Sequence, residues 1–413
     1  MALTRNDCLS LLKEKGTPDN IIAHSVQVNR IAVFLAKKLL LQGVRLDYQL
    51  IDMASLLHDL DKWYSLKNGA HGRHSVKWLR ELGYPDIANI VGKHVLESIL
   101  SKKSCPTTWE EKLVYYADKR VTNDSIVSLN ERFTYLKKQY GSRSAGALLL
   151  IQKSEPLVKK LENEIFTAAH MQPNTLIANL NKELMLGNKY TKAKAIIFDI
   201  WGTLAVNIHP THHYTLLPQL LDIEKDPKKF RLIEEGLMQQ DFPSKKSAMI
   251  HLTEYIKKKK GVYTGKSPKD LEHFWNIMEK ESVLFPEVTS VLVRLKKRFK
   301  IGLVSNTQVF GLSCISPLRS LVDATALSYE EKLLKPDKKI FLSLTRKLNV
   351  KPSETVMVGD NYHDDVQAAT HAGLMAMQIK RDNVHISHKS QRFYNMTIIS
   401  LHDIERIMTP YKM

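Results

Sequence analysis

Cysteine is scarce in this chain of 413 residues: Cys8, Cys105 and Cys314 are the three present, odd in number and widely separated. Neither a disulfide framework nor a cysteine zinc site fits that pattern, and a reducing, cytoplasmic setting is the expectation. Long apolar runs are missing too. No stretch approaches the roughly 18–20 uninterrupted apolar residues that a membrane-spanning helix needs. The opening segment MALTRNDCLSLLKEKG carries Asp7 and Lys13 inside its short apolar pattern and no signal-peptide cleavage pattern, so a soluble protein is expected. Negative charge is in deficit, with 43 Asp and Glu against 61 Lys and Arg and a formal net charge of +18. That balance favours anionic ligands, whether nucleic acid, acidic lipid or phosphate esters, without choosing among them. A nucleic-acid surface would require aromatics interleaved with a basic stripe or a reading motif, and the chain has neither. No repeat of 20–50 residues occurs. What remains, 43% hydrophobic and 25% charged residues, is ordinary globular composition with length enough for two or three cored domains.

The texture changes once along the chain. Up to about residue 185 apolar positions recur with the helical period and alternating β-branched runs are nearly absent, which predicts an all-α half. Thr17-Pro18 is expected to cap and open a helix whose buried face is Ile21, Ile22, Val28, Ile31 and Leu35. Thr108 and Glu111 have capping-box spacing ahead of Leu113, Val114 and Ala117. Beyond the polar stretch GNKYTKAK, short bounded apolar runs predict strands of a parallel sheet: residues 195–199, 301–305, 355–359, 374–379 and 396–400. The nearly one hundred residues between the first two runs are too many for a simple crossover and predict an inserted helical subdomain. The lysines at 257–260 and Lys296-Lys297-Arg298 read as solvated helix faces.

In the helical half, His24, His58-Asp59, His71, His94 and Asp118 each fall in or at the end of an expected helix. His24 follows Ile21 by three, His94 follows Ile90 by four and Asp118 follows Val114 by four, which turns each polar group along the apolar stripe toward the interior. An interior aspartate is costly unless paired or bound to metal. Imidazole nitrogen and carboxylate oxygen suit Fe, Mn, Zn, Ni or Co, and six such groups could hold two ions.

These residues, in HSVQVNRIAVFLA, ASLLHDLDKW and YYADKRV, resemble in order and context the HD-domain metal-dependent phosphohydrolases over about residues 18–135. The resemblance implies that His24, His58, Asp59 and Asp118 hold one divalent transition metal. His71 and His94, with Asp59 bridging, would hold a second as in two-metal members, so one or two ions are expected. Asp59 is thereby also catalytic. Lys62, Arg73 and Lys93 could bind phosphate. The chain departs from many members in following the doublet with Leu60-Asp61-Lys62, which adds a carboxylate of undetermined role. The family also contains mixed-valence iron oxygenases, so hydrolysis follows its majority.

In the second half, AIIFDIWGTL sets Asp199 at the carboxyl end of the first expected strand, with Gly202 and Thr203 fit for a tight turn. Ser305-Asn306-Thr307 ends the second run, Lys335-Pro336 precedes a helix, and Asp360 ends the third in VGDNYHDDV. Ligands of open α/β sheets bind at that edge. This ordered set resembles the haloacid dehalogenase-like hydrolases over about residues 194–382. The resemblance implies that Asp199 is a nucleophile, Ser305 a donor to phosphate, and Lys335 the cation joining nucleophile and phosphate. Thr203 and Asn306 would contact substrate, and Asp199, Asp360 and Asp365 would bind Mg²⁺, with Asp365 fitting the spacing better than Asp364.

One position departs from the phosphatases of that family. Two residues after the nucleophile they carry an aspartate that protonates the leaving alkoxide; here it is Trp201, whose indole N–H does not titrate. Loss of a general acid costs on the order of 10² to 10⁴ in rate. Three explanations stay open: leaving groups that need little protonation, such as anhydrides or acyl phosphates; chemistry at carbon; or a site that binds phosphate without hydrolysing it well.

The sequence thus predicts a multidomain protein. An all-α HD-type bundle at 1–186 precedes an α/β Rossmann-like haloacid dehalogenase fold at 194–413, with a helical cap at about 206–295. The expected function is a bifunctional phosphohydrolase acting on nucleotides or small phosphorylated metabolites, without membrane or nucleic-acid partners and of undetermined oligomeric state. The competing function is a phosphometabolite sensor with a weak or inactive C-terminal site.

Overall fold

The computed structural model describes residues 3–69, 71–208, 213–223, 227–308, 310–381 and 396–408. The chain divides into two compact units, residues 1–183 and 184–412.

The first unit is helical. Its central helix, Asp19–Leu41, is apolar enough to be buried on most of its circumference, with Ile22, Val28, Ile31 and Leu35 fully enclosed; Ile21 is only half-buried. Pro18, not Thr17, takes its cap position, and no side chain caps it. Thr17 lies too early by one residue for its hydroxyl to meet the first free N–H groups. The helix Tyr48–Leu57 packs along it and is locked by a buried polar cluster: Asn29 donates through Nδ2 to Asp52 O at 3.0 Å and to Ser55 Oγ at 2.9 Å. That cluster fixes the stretch leading into His58 and Asp59. The helix Trp109–Asp118 begins at a capping box, Glu111 N donating to Thr108 Oγ1 at 3.3 Å and Thr108 N to Glu111 Oε2 at 3.2 Å. Its end delivers Asp118. The unit also contains a two-stranded antiparallel hairpin, Val121–Thr122 with Ser125–Ile126, which helical periodicity did not anticipate because each strand has only two residues.

The second unit is built on a parallel sheet. Among the described residues its six strands run in the order Thr397–Ile398, Met375–Ile379, Thr355–Gly359, Ala195–Phe198, Lys300–Ser305, Ala324–Leu327. The central strands are covered on both faces, hence their near-continuous apolar runs. Ile196 and Phe198 join Ile301, Leu303, Val356 and Val358 on one face; Ala195 and Ile197 join Val304, Met357 and Phe341 on the other. Ala324–Leu327 is a strand the sequence did not predict: it is a short edge, half of it buried, with only one β-branched side chain. Between the first two central strands, the antiparallel pair Ala205–Asn207 and Ser282–Leu284 leads into and out of four helices, His213–Leu220, Pro227–Leu237, Lys245–Lys260 and Pro268–Lys280. These share a separate core that includes Leu217, Ile233, Leu252 and Leu271. Lys257 to Lys260 are all exposed.

Candidate active sites

In the helical unit, His24, His58 and Asp118 form one group and Asp59, His71 and His94 a second, the ligand atoms of each lying within 4.8 Å of one another. Asp59 faces both. Its Oδ2 is 3.8 Å from His24 Nε2 and 3.6 Å from His58 Nε2, while its Oδ1 is 3.1 Å from His71 Nε2 and 3.4 Å from His94 Nε2. Every imidazole is oriented through its other nitrogen. Nδ1–H donates to Asn123 O at 2.7 Å in His24, to Ser55 O at 2.8 Å in His58 and to Val91 O at 2.6 Å in His94. A carbonyl only accepts, so Nδ1 carries the hydrogen and the Nε2 lone pair points inward. In His71 the same bond goes to the Asp61 carboxylate at 2.9 Å.

His58 Nε2 is buried without a hydrogen-bond partner, 3.6 Å from both Asp59 Oδ2 and Asp118 Oδ1. A buried nitrogen lone pair left in that position between two carboxylates suits a cation. Burial alone would raise the Asp59 carboxyl, but the Lys62 ammonium beside it and the bond from His71 hold it well below the usual range. Burial acts against protonation of His71, yet Asp59 and Asp61 bring it to about 9, the behaviour of an imidazole facing uncompensated negative charge.

The sequence left Asp61 without a role and gave no sign of Lys119. Asp61, seen only as an extra carboxylate, accepts from His71 and from the backbone N–H groups of Gly72, His74 and Ser75. Burial would raise it; these bonds take it down to about 2. Lys119 is buried beside Asp118, donates to Asp118 Oδ2 and to His94 O at 2.7 Å, and so ties the two groups together. Of the cations expected near phosphate, Lys62 stands 3.5 Å from Asp59 Oδ1 with its side chain partly in solvent, Arg73 is exposed, and Lys93 is ion-paired with Glu111 at 2.7 Å.

In the α/β unit, the carboxyl ends of three adjacent strands bring Asp199, Ser305 and Asp360 together, and Lys335 reaches them from beyond the edge strand. Asp199 Oδ1 accepts from Ser305 Oγ at 3.0 Å and from Lys335 Nζ at 2.7 Å, and Lys335 also donates to Asp365 Oδ1 at 2.5 Å. Asp199, Asp360 and Asp365 offer carboxylate oxygens within 4.8 Å of one another. Against the effect of burial, Asp199 and Asp365 push the Lys335 ammonium upward. Asp360 rises to about 7 through burial and the charge of Asp199, and Asp365 is raised chiefly by burial: one lysine does not neutralise three carboxylates, and a divalent cation fits the excess. The approach is close. Gly202, at φ +76°, lies where a Cβ would stand 2.6 Å from Asp360 Oδ2, and a Cβ on Gly359 would stand 2.4 Å from the Asp365 carboxylate.

Thr203 is fully buried and its hydroxyl has no hydrogen-bond partner. The Asn306 side chain is engaged at both ends: Oδ1 accepts from Lys335 N at 2.7 Å, and Nδ2 donates to Glu234 Oε1 at 3.0 Å. Glu234 and Arg231, which donates to Lys335 O at 2.6 Å, come from the inserted helix Pro227–Leu237. Nothing in the sequence pattern pointed to them, since Glu234 lies 72 residues from Asn306 and Arg231 lies 104 residues from Lys335. Trp201 Nε1 is directed at Thr307 Oγ1, 3.5 Å away. Asp364, which bonds to Asn361 and His363, stands outside the carboxylate group that includes Asp365.

Residues 21–123 match the family model of the HD domain, and residues 193–373 that of the haloacid dehalogenase-like hydrolases. The chain is an HD domain fused to a haloacid dehalogenase-like hydrolase domain. An uncharacterized protein of Methanocaldococcus jannaschii is 27% identical over 165 residues, 37% of this chain and 89% of that protein. The glyceraldehyde 3-phosphate phosphatase of Methanothermobacter thermautotrophicus is 32% identical over 107 residues, which cover 24% of this chain and 45% of the phosphatase, less than half its length. A HAD phosphatase structure from Thermococcus onnurineus is 24% identical, with a TM-score of 0.36 over 52% of this chain and 98% of that one. Among the described residues of both domains, no helix is long and apolar enough to cross a membrane.

Proposed function

We propose that the protein is a bifunctional metal-dependent phosphohydrolase of nucleotides or small phosphorylated metabolites, with the HD domain within 1–186, the α/β domain within 194–413 and its cap at about 206–295. Residues 1–2, 70, 209–212, 224–226, 309, 382–395 and 409–413 of those ranges lie outside the described residues. The observation that carries the proposal is the double-sided setting of Asp59, one oxygen toward His24 and His58 and the other toward His71 and His94.

In the HD domain, His24, His58, Asp59 and Asp118 would hold one transition ion and Asp59, His71 and His94 a second. Such ions supply a water acidic enough to attack near neutral pH and neutralise phosphate oxygens. Asp61 orients His71, and Lys62 offers its ammonium to a phosphate oxygen. In the α/β domain, Asp199 attacks phosphorus, Ser305 donates to a phosphate oxygen, and Lys335 holds nucleophile and phosphate together against their mutual repulsion. Asn306, its side chain occupied, would meet phosphate through its backbone N–H, and Thr203 would be the second substrate contact. Asp199, Asp360 and Asp365 would hold Mg²⁺.

The relative's glyceraldehyde 3-phosphate activity does not transfer directly, because Trp201 cannot protonate an alkoxide. The same residue favours a second reading, in which the α/β site binds a phosphometabolite as a sensor. A panel of phosphate monoesters, diesters and anhydrides, assayed with Mg²⁺, Mn²⁺, Co²⁺ and Ni²⁺, tests the proposal. Asp59→Ala is expected to abolish one activity and Asp199→Asn another. Loss of the same activity in both variants would contradict two separate sites.

A further inference from the structure

Beside the α/β site, a cleft that is partly open to solvent is lined by residues of the inserted helices and of the loops that follow the sheet strands. Its floor is Trp201, Asn306 and Thr307, residues that follow Asp199 by two and Ser305 by one and two. A group bonded to a phosphorus at Asp199 would enter the cleft past these three residues.

The walls are aromatic: Phe230, Phe274, Trp275 and Phe310 join Trp201, with Met238 and Met278 between them. The polar side chains on the walls are engaged by the protein itself. Gln308 donates to Phe310 O at 2.6 Å and accepts from Phe310 N at 2.7 Å. Asn207 and Ser282 both donate to Met278 O, at 2.6 and 2.8 Å. Glu279 is paired with Lys245. With Asn306 bound to Lys335 and Glu234, the cleft has few donors or acceptors to offer the hydroxyls of a sugar or a polyol. Burying those hydroxyls unpaired would be unfavourable. A flat apolar ring meets no such penalty and gains stacking contacts.

We infer that the α/β site hydrolyses aryl phosphates, esters in which phosphate is joined to the oxygen of an aromatic ring. The inference rests on Asp199 acting as nucleophile, and two independent features converge on it. The cleft takes a ring, and the position that would protonate the departing oxygen holds Trp201. When the Asp199 oxygen bonds to phosphorus, the bond from phosphorus to the ring oxygen breaks and its electron pair leaves as an aryloxide, which takes its proton from water. A phenolic oxygen has a conjugate-acid pKa of about 10, as in tyrosine, against about 15.7 for water, so it departs without an enzymatic acid where an alkoxide does not. Water then attacks the phosphoaspartate at phosphorus, releasing inorganic phosphate and restoring the Asp199 carboxylate.

The test uses the full-length protein with Mg²⁺ and measures phosphate release from phenyl phosphate, ring-substituted phenyl phosphates, n-propyl phosphate and glycerol phosphate. The expected kcat/KM for phenyl phosphate exceeds that for propyl phosphate by about 10² to 10⁴, the scale of a missing general acid. Trp275→Ala is expected to raise KM for phenyl phosphate. Equal or faster turnover of the alkyl esters, abolished by Asp199→Asn, would overturn the aryl preference and leave the nucleophile in place. An unchanged KM in Trp275→Ala would remove the ring from this cleft. Turnover of phenyl phosphate that survives Asp199→Asn, or no turnover of any ester, would overturn both the nucleophile and the inference built on it.

Discussion

Asp61 accepts a hydrogen bond from His71 Nδ1 at 2.9 Å while three backbone N–H groups hold the same carboxylate in place. The carboxylate is thus rigid before any ligand arrives, and it fixes which face of His71 is turned to Asp59.

Asp61→Asn is expected to weaken binding at the Asp59–His71–His94 group by about 10-fold to 100-fold, the effect of losing a carboxylate behind a ligating histidine. The His24–His58–Asp118 group, whose imidazoles are held by backbone carbonyls, should change less. Chelator competition with Mn²⁺ measures both affinities. Equal affinities in the variant and the native protein would deny Asp61 this role.

Trp201→Asp places a titratable carboxyl where the indole stands. Turnover of alkyl phosphates is expected to rise by a factor approaching 10² or more, since general acid catalysis contributes on that order. Steady-state kinetics on propyl phosphate would show it. An unchanged rate would mean that protonation of the leaving group does not limit this site and would favour the sensing role.

Glu234 is raised above the ordinary 4.5 by burial first and by Asp364 second, against Asn306 and Arg231. A folded-state value above the unfolded one means that the folded protein binds the proton more tightly. Its contribution to stability is present below about 4.5 and is lost as pH rises through the folded value. Glu234→Gln, always neutral, should therefore gain on the native protein as pH rises from 4.5 to 8. Thermal unfolding across that range checks the sign; a constant difference would contradict it.

Much of this was legible beforehand, for identifiable reasons. His24 and Asp118 sit on helices whose 3.6-residue period turns them inward, His58 and His94 follow the ends of theirs, and Asp199, Ser305 and Asp360 end strands whose apolar runs are unmistakable. The helical insert followed from its length. What was hidden depends on contacts between distant segments. Glu234 meets Asn306 only because the inserted helices fold back over the sheet, and Lys119 reads as a surface lysine until the end of its helix is buried beside His94. Thr17 shows the limit of local rules, since a residue one position too early makes no cap. Asn123, whose carbonyl orients His24, sits at φ +54° in a hairpin too short to leave a pattern.

The most direct measurement is the metal content of full-length protein purified without added metal, compared with Asp59→Ala by elemental analysis. About one or two transition-metal ions per chain are expected in the native protein and their loss in the variant, because Asp59 is the carboxylate common to both histidine groups. A correctly folded native protein free of transition metal that also fails to take up Mn²⁺, Co²⁺ or Ni²⁺ would contradict it.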